Sequence, residues 1–266
     1  MFDEANTIVG FICLSSDITR LRQAEEELKK NKEKLEVQTW GLEKTKSGFK
    51  LLYNGLENKK AELQQSIDRL KRILLESVDA LASAAEKRDP YTAGHQQRVA
   101  ALACEIAKEL GFSEEQIEGI KIAGVLHDIG KIYVPDALLT KISKLTDAEF
   151  SEIKNHAKFG YDILKKIEFS WPVAQIVFQH HERLNGSGYP QKLSGEEIIL
   201  EARIVGVADV VEAMAAPRPY RAALGIDTAL NEIMRHKGTL YDPEVVDICC
   251  RLFREKGYRL TGGENN

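Results

Sequence analysis

IKIAGVLHDIGK, residues 120–131, is an apolar stretch with helical spacing that runs straight into an ionisable pair, His127-Asp128. Two further stretches do the same. In WPVAQIVFQHHE (171–182) the stripe Val173, Ile176, Val177 leads onto His180 and His181, and in RIVGVADVVEAM (203–214) Asp209 sits in a run that would otherwise be wholly buried. An unpartnered carboxylate in such a place costs several kcal/mol or takes up a proton. A divalent cation removes the conflict, because it offsets the aspartate charges and takes each histidine as a neutral ligand. A lone histidine on an apolar face is ordinarily a hydrogen-bonded core residue, and His95 or His156 taken singly reads that way. The HD pair together with Asp209 favours ligation, and the His180-His181 pair stands evenly between the two readings. His236, in MRHKG (234–238), reads as a surface residue or a partner of a helix C-terminus.

Outward from these stretches the chain reads as compact amphipathic helices from about residue 89 onward. Ser113 with Gln116 and Thr146 with Glu149 have capping-box spacing, Pro172 stands where a first-turn proline would, and Asp242-Pro243 has the form of a cap and first turn. Alternating strand patterns are absent after residue 20, so the body is expected to be all-α. Before it, residues 17–88 are charged and helical, with Leu21, Leu28, Leu35, Leu42, Phe49, Leu56, Leu63 and Leu70 recurring every seven positions. The ladder predicts a parallel two-stranded coiled coil and hence a homodimer, weak at its centre where Lys32, Thr39, Lys46 and Lys60 fill the companion positions. Gly41, Gly48 and Gly55 fall one heptad apart, each costing about 1 kcal/mol against alanine in a helix, and a helical hairpin bent near Gly48 is the competing reading. At the start, IVGFICLSSDIT (8–19) alternates like a strand.

Composition narrows the function classes. The 266 residues are 43% hydrophobic and 29% charged, an ordinary globular balance. A net charge of -4 gives no reason to expect a nucleic acid polymer as partner, although a local basic patch can still grip a small phosphorylated ligand. Cys13, Cys104, Cys249 and Cys250 form no CxxC pair, and Cys249-Cys250 lie in the apolar run VVDICCRLF, which reads as core thiols in a reducing compartment. Apolar runs stay short of the roughly 18 residues that a membrane helix needs, and the expected location is the cytoplasm.

HDIGK followed by HHERLNGSGYP (180–190) resembles the HD-GYP family of bacterial cyclic di-GMP phosphodiesterases, and the likeness runs from RDPYTAGHQQRVA at residue 88 to ADVVEAM and RPYR (218–221). The resemblance implies an HD-type helical bundle around two divalent metals, iron or manganese, held by His95, His127, Asp128, His156, His180, His181 and Asp209. By the family pattern one metal takes His95, His127, Asp128 and Asp209 and the other His156, His180 and His181, with Asp128 bridging. Two such ions can activate water, polarise a phosphate and stabilise an in-line displacement. Asp128 and Lys131 are then the catalytic candidates. Lys131, Arg218 and Arg221 would contact phosphate, and Gly188 and Tyr189 of the GYP loop would line the substrate entrance or dock partners. The expected domains are a C-terminal PAS-domain remnant (1–16), a coiled-coil linker (17–88), an HD-GYP catalytic domain (89–260) and a disordered tail (261–266). The implied activity is hydrolysis of cyclic di-GMP, stopping at pGpG or continuing to GMP. Another cyclic dinucleotide such as cyclic GMP-AMP, or a silent domain binding a ligand or a GGDEF-type partner, are the alternatives. Some family members bind a third metal through a Glu four residues before the first histidine ligand; here Tyr91 stands there, neither Glu86 nor Asp89 has the spacing to replace it, and two metals are expected.

Overall fold

A computed structural model describes residues 9–88, 94–141, 143–216 and 223–260. Two compact units divide the chain, residues 1–70 and 71–266. The structure is helical throughout, and among the described residues the only β-type pairing is two isolated bridges, Asn185 with Ser194 and Lys237 with Tyr241.

Helix α1 covers Val9–Glu86 without interruption. One expectation changes here, and one competing reading drops out. The strand read across residues 8–19 is helical from Val9 onward: a lone strand leaves its backbone groups unpaired, whereas a helix closes them within itself. The chain also passes Gly41, Gly48 and Gly55 without a hairpin, since three glycine penalties are spread over a long run of good helix formers. In the first unit the leucine ladder from Leu21 to Leu70 is exposed, as are Trp40, Leu51 and Leu52.

The second unit begins at Lys71, upstream of the expected boundary at 89. The last turns of α1 bury Val78, Ala82 and Ala85, which share one face at helical spacing, so this stretch is part of the bundle's core. Then follow α2 (His95–Glu109), α3 (Glu114–Leu126), a 3₁₀ turn Ile129–Tyr133, α4 (Asp136–Leu139), α5 (Asp147–Lys154), α6 (His156–Leu164), α7 (Val173–Gln179), a 3₁₀ turn Gly195–Glu197, α8 (Leu200–Ala215), α9 (Ile226–Arg235) and α10 (Pro243–Arg254). Helix α8 is the spine: Ile204, Val205, Val207, Ala208 and Val211 are buried, with α2, α7, α9 and α10 packed against it.

The helix starts follow their caps. Ser113 and Thr146 each accept from the third backbone amide while Gln116 and Glu149 reach back, and Asp242 accepts from Glu244 and Val245 ahead of Pro243. Pro172 lies one residue earlier than expected, as the cap of α7. Cys104, Cys249 and Cys250 are buried and free.

Candidate metal centre

Three helices of the bundle end in the same way. His127 follows α3, His156 follows α5 and His180 follows α7, and each imidazole turns back on the helix it leaves. Nδ1–H donates to the carbonyl three residues upstream: His127 to Gly124 at 2.7 Å, His156 to Ile153 at 2.7 Å, His180 to Val177 at 2.6 Å. That bond puts the lone pair on Nε2. The Nε2 atoms of all three are buried and have no hydrogen-bond partner among the described residues. Orphaned buried acceptors are rare, and three converging on one place fit a cation.

Asp128 and Asp209 supply the charge. Asp128 Oδ2 lies 3.4 Å from His127 Nε2 and its Oδ1 lies 3.3 Å from His156 Nε2. Asp209 Oδ1 is 3.3 Å from His95 Nε2 and 3.9 Å from His127 Nε2, while its Oδ2 is 3.9 Å from His181 Nδ1. The seven residues singled out from the sequence are therefore brought together. Six of them form two overlapping groups with metal-ligand spacing, Asp128 with His156, His180 and His181, and Asp128 with His95 and His127, the donor atoms of each group within 4.8 Å of one another; Asp209 stands beside the second. Mixed imidazole and carboxylate donors suit a first-row transition metal.

The electrostatics agree with neutral imidazoles around ionised carboxylates. Burial, with His127 and His156 alongside, pushes His180 down to about 3, and burial lowers His156 and His181 too. Burial alone would raise Asp128 and Asp209. Lys131 and the histidines around Asp128, and His95, His127 and His181 around Asp209, more than reverse this, and both carboxyls are held well below their ordinary range. His95 differs: burial would lower it, but hydrogen bonds to Asp209 and Glu212 win and push it up to about 9.

The 3₁₀ turn after Asp128 brings Lys131 Nζ to 2.6 Å from Asp128 Oδ2. The turn can lie so close to α6 only because Gly130 has no side chain: a Cβ there would stand 1.9 Å from the carbonyl oxygen of His156. An open pocket of about 410 Å³ lies over the cluster, lined by Asp128, Lys131, Ile153, Tyr189, Asp209 and Met214 among others. The Tyr189 ring packs on His181 with centroids 4.7 Å apart, and Lys154 lies over it.

The GYP loop is held by a residue that sequence reading passed over. Buried Glu182 accepts from the Gln191 amide at 2.6 Å and the Leu193 amide at 3.0 Å. Gly186 turns the loop with a positive φ of 77°. Gly188 serves close approach instead, since a Cβ would fall 2.4 Å from Glu182 Cα. Gln179 accepts from the Ile199 amide at 2.9 Å, and Glu212 binds His95; these too were missed, although a Glu or Gln inside an apolar helix is the same kind of anomaly that exposed Asp209. Arg218, Arg221 and Tyr91 lie outside the described residues.

The HD domain family profile matches residues 79–245. Over 178 residues the chain is 44% identical to the cyclic di-GMP phosphodiesterase response regulator RpfG of Xanthomonas campestris pv. campestris, covering 66% of this chain and 47% of that protein. It is 41% identical over 186 residues to a cyclic di-GMP phosphodiesterase of Thermotoga maritima, covering 68% and 50%, and 41% identical over 167 residues to a 3'3'-cGAMP-specific phosphodiesterase of Vibrio cholerae, covering 63% and 36%. The chain thus spans about half the length, or less, of the curated relatives it matches. In fold it is similar to an HDG"Y"P protein from Bdellovibrio bacteriovorus, with TM-score 0.51 and 20% identity over 60% of this chain and 51% of that one. With the HDIGK turn and the histidine–aspartate cluster inside the matched span, the chain belongs to the HD domain family.

Proposed function

We propose that this chain is a metal-dependent phosphodiesterase that hydrolyses cyclic di-GMP to linear pGpG, using two divalent ions, iron or manganese. The observation that carries the reading is Asp128, whose two oxygens face two histidine groups on the floor of an open pocket. His95, His127 and Asp209 would hold one ion, His156, His180 and His181 the other, with Asp128 shared. Bound there, the ions would activate water and neutralise the phosphate. The protein's own part is positional. Lys131, at the pocket wall, would meet a non-bridging phosphate oxygen, and Tyr189 would present a ring face and a hydroxyl to the ligand. Burial, reinforced by the Asp209 and Asp128 charges, raises the Tyr189 phenol, which therefore stays a donor. Arg218 and Arg221 would complete the phosphate grip, and alanine in place of either is expected to weaken substrate binding by about 1.5–3 kcal/mol. Three buried free thiols suit the reducing cytoplasm.

The similarity to 3'3'-cGAMP-specific enzymes favours cyclic GMP-AMP as the second candidate substrate. The α1 leucine ladder supports a homodimeric coiled coil as the linker, and GGDEF-type proteins are the candidate partners of the GYP loop. The deciding experiment is anaerobic loading with Fe²⁺ or Mn²⁺, a metal count, and turnover of cyclic di-GMP against 3'3'-cGAMP. Two ions per chain with release of pGpG supports the reading; a loaded protein that turns over neither dinucleotide refutes it.

A further inference from the structure

His127, His156 and His180 each take their orientation from the last turn of the helix before them. His95, the first residue of α2 after Gly94, is held differently. Its Nδ1 instead meets Glu212 Oε2, a contact made across the bundle from α8. Glu212 follows Asp209 by three residues on that helix, so one face of α8 touches both nitrogens of the same imidazole, Asp209 Oδ1 lying 3.3 Å from Nε2. The other oxygen of Glu212 is occupied as well: Arg98 Nε and an Nη each lie 2.7 Å from Oε1, and Arg98 stands one turn beyond His95 on α2. Glu212 is 1% exposed. A carboxylate so deeply placed costs stability unless its charge is balanced, which the guanidinium does.

Resting on the metal reading above, we infer that Glu212, clamped by Arg98, is the positioning residue of the His95 metal site. It keeps a proton on Nδ1 so that Nε2, beside Asp209, is the nitrogen left for a cation, makes that imidazole a stronger donor than a backbone carbonyl would, and acts on one of the two sites alone. Its reach ends there because the His156, His180 and His181 group draws its orientation from α5 and α7.

The test is anaerobic titration of the metal-stripped full chain with Mn²⁺, following both binding steps. Glu212→Leu is expected to weaken one step by about 10- to 100-fold, the range for losing such an outer partner, and to leave the other unchanged. Glu212→Gln, which keeps an acceptor for Nδ1–H, should recover most of the loss. Arg98→Ala should weaken the same step only. Equal weakening of both steps, or two unchanged steps, in Glu212→Leu overturns the inference. Should that variant fail to fold by circular dichroism, unchanged affinities in Arg98→Ala overturn it instead. An unaltered chain that binds no Mn²⁺ brings down the metal reading itself, a result distinct from any of these.

Discussion

Asp128 and Lys131 form an ion pair of 2.6 Å within a single 3₁₀ turn. An α-helical continuation of α3 would have displaced Lys131 along the helix; the tighter turn folds its ammonium back over the carboxylate that the two histidine groups share. The same oxygen therefore has a lysine beside it and a histidine nitrogen 3.4 Å away.

Asp128→Ala is expected to reduce turnover to background and to lose at least one ion per chain, while the far-ultraviolet circular dichroism spectrum keeps its helical form. Asp128 stands after α3, outside the helical ladders, and its loss removes a ligand without opening the apolar core. Full activity in this variant would be incompatible with metal-assisted hydrolysis.

Metal uptake should release protons. With Nε2 free of a cation, His95 is pushed up to about 9, so it holds a proton at pH 7.5 that a metal at Nε2 must displace. His156, His180 and His181 are lowered and have none to give. On this account the apparent affinity of the His95 site rises about tenfold per pH unit from 7 towards 9 and flattens above it, where the proton is already gone. Calorimetry of Mn²⁺ binding in two buffers of different ionisation enthalpy measures the proton count directly; zero protons at pH 7.5 would contradict the assignment.

Gly188→Ala is expected to destabilise the fold by about 1–3 kcal/mol, the usual cost of forcing a methyl group into filled space. The neighbours are backbone atoms of Glu182 and Arg183 within 2.4–2.6 Å, which cannot step aside as a side-chain tip would. Tyr189 and His181 must shift with them, so activity should fall beyond the loss of stability. Urea denaturation midpoints alongside initial rates separate the two effects.

Removing residues 1–60 should convert a dimer to a monomer in sedimentation velocity and leave both metal steps intact. The exposed Leu21–Leu70 ladder motivates this, since single leucines on a surface are ordinary but eight apolar residues in heptad register are not. A full-length chain that is monomeric at high concentration would show that the ladder serves something else.

Where the sequence was legible, it was so because chemistry and periodicity pointed the same way. The capping boxes at Ser113 and Thr146 carry their own partners three residues on, and Asp209 announces itself as a charge among valines. The strand across residues 8–19 was misread because alternation over a dozen residues also fits a helix, and only a pairing partner could have decided it. The competing hairpin at Gly48 failed because its local penalty is outweighed by its neighbours. Glu212 was missed for a different reason: its place in an apolar helix marks it as anomalous, but its role depends on His95, which lies 117 residues away in the chain. The 3₁₀ turn at HDIGK was equally hidden, since it depends on Gly130 meeting α6.

The histidines that donate back to α3, α5 and α7 have one more consequence. Each imidazole is fastened to its own helix end and to no other, so before a cation arrives the three ends are joined chiefly by the apolar packing beneath them. A bound ion would be a cross-link between stretches of chain that lie far apart in sequence, and ions held at a hundred times their dissociation constant would add about 2.7 kcal/mol to the folded state per site. Chelation should then leave a folded protein whose pocket floor exchanges its amide hydrogens faster at Gly124–Asp128, Ile153–His156 and Val177–His181, so that metal supply governs the rigidity of this face as well as its chemistry.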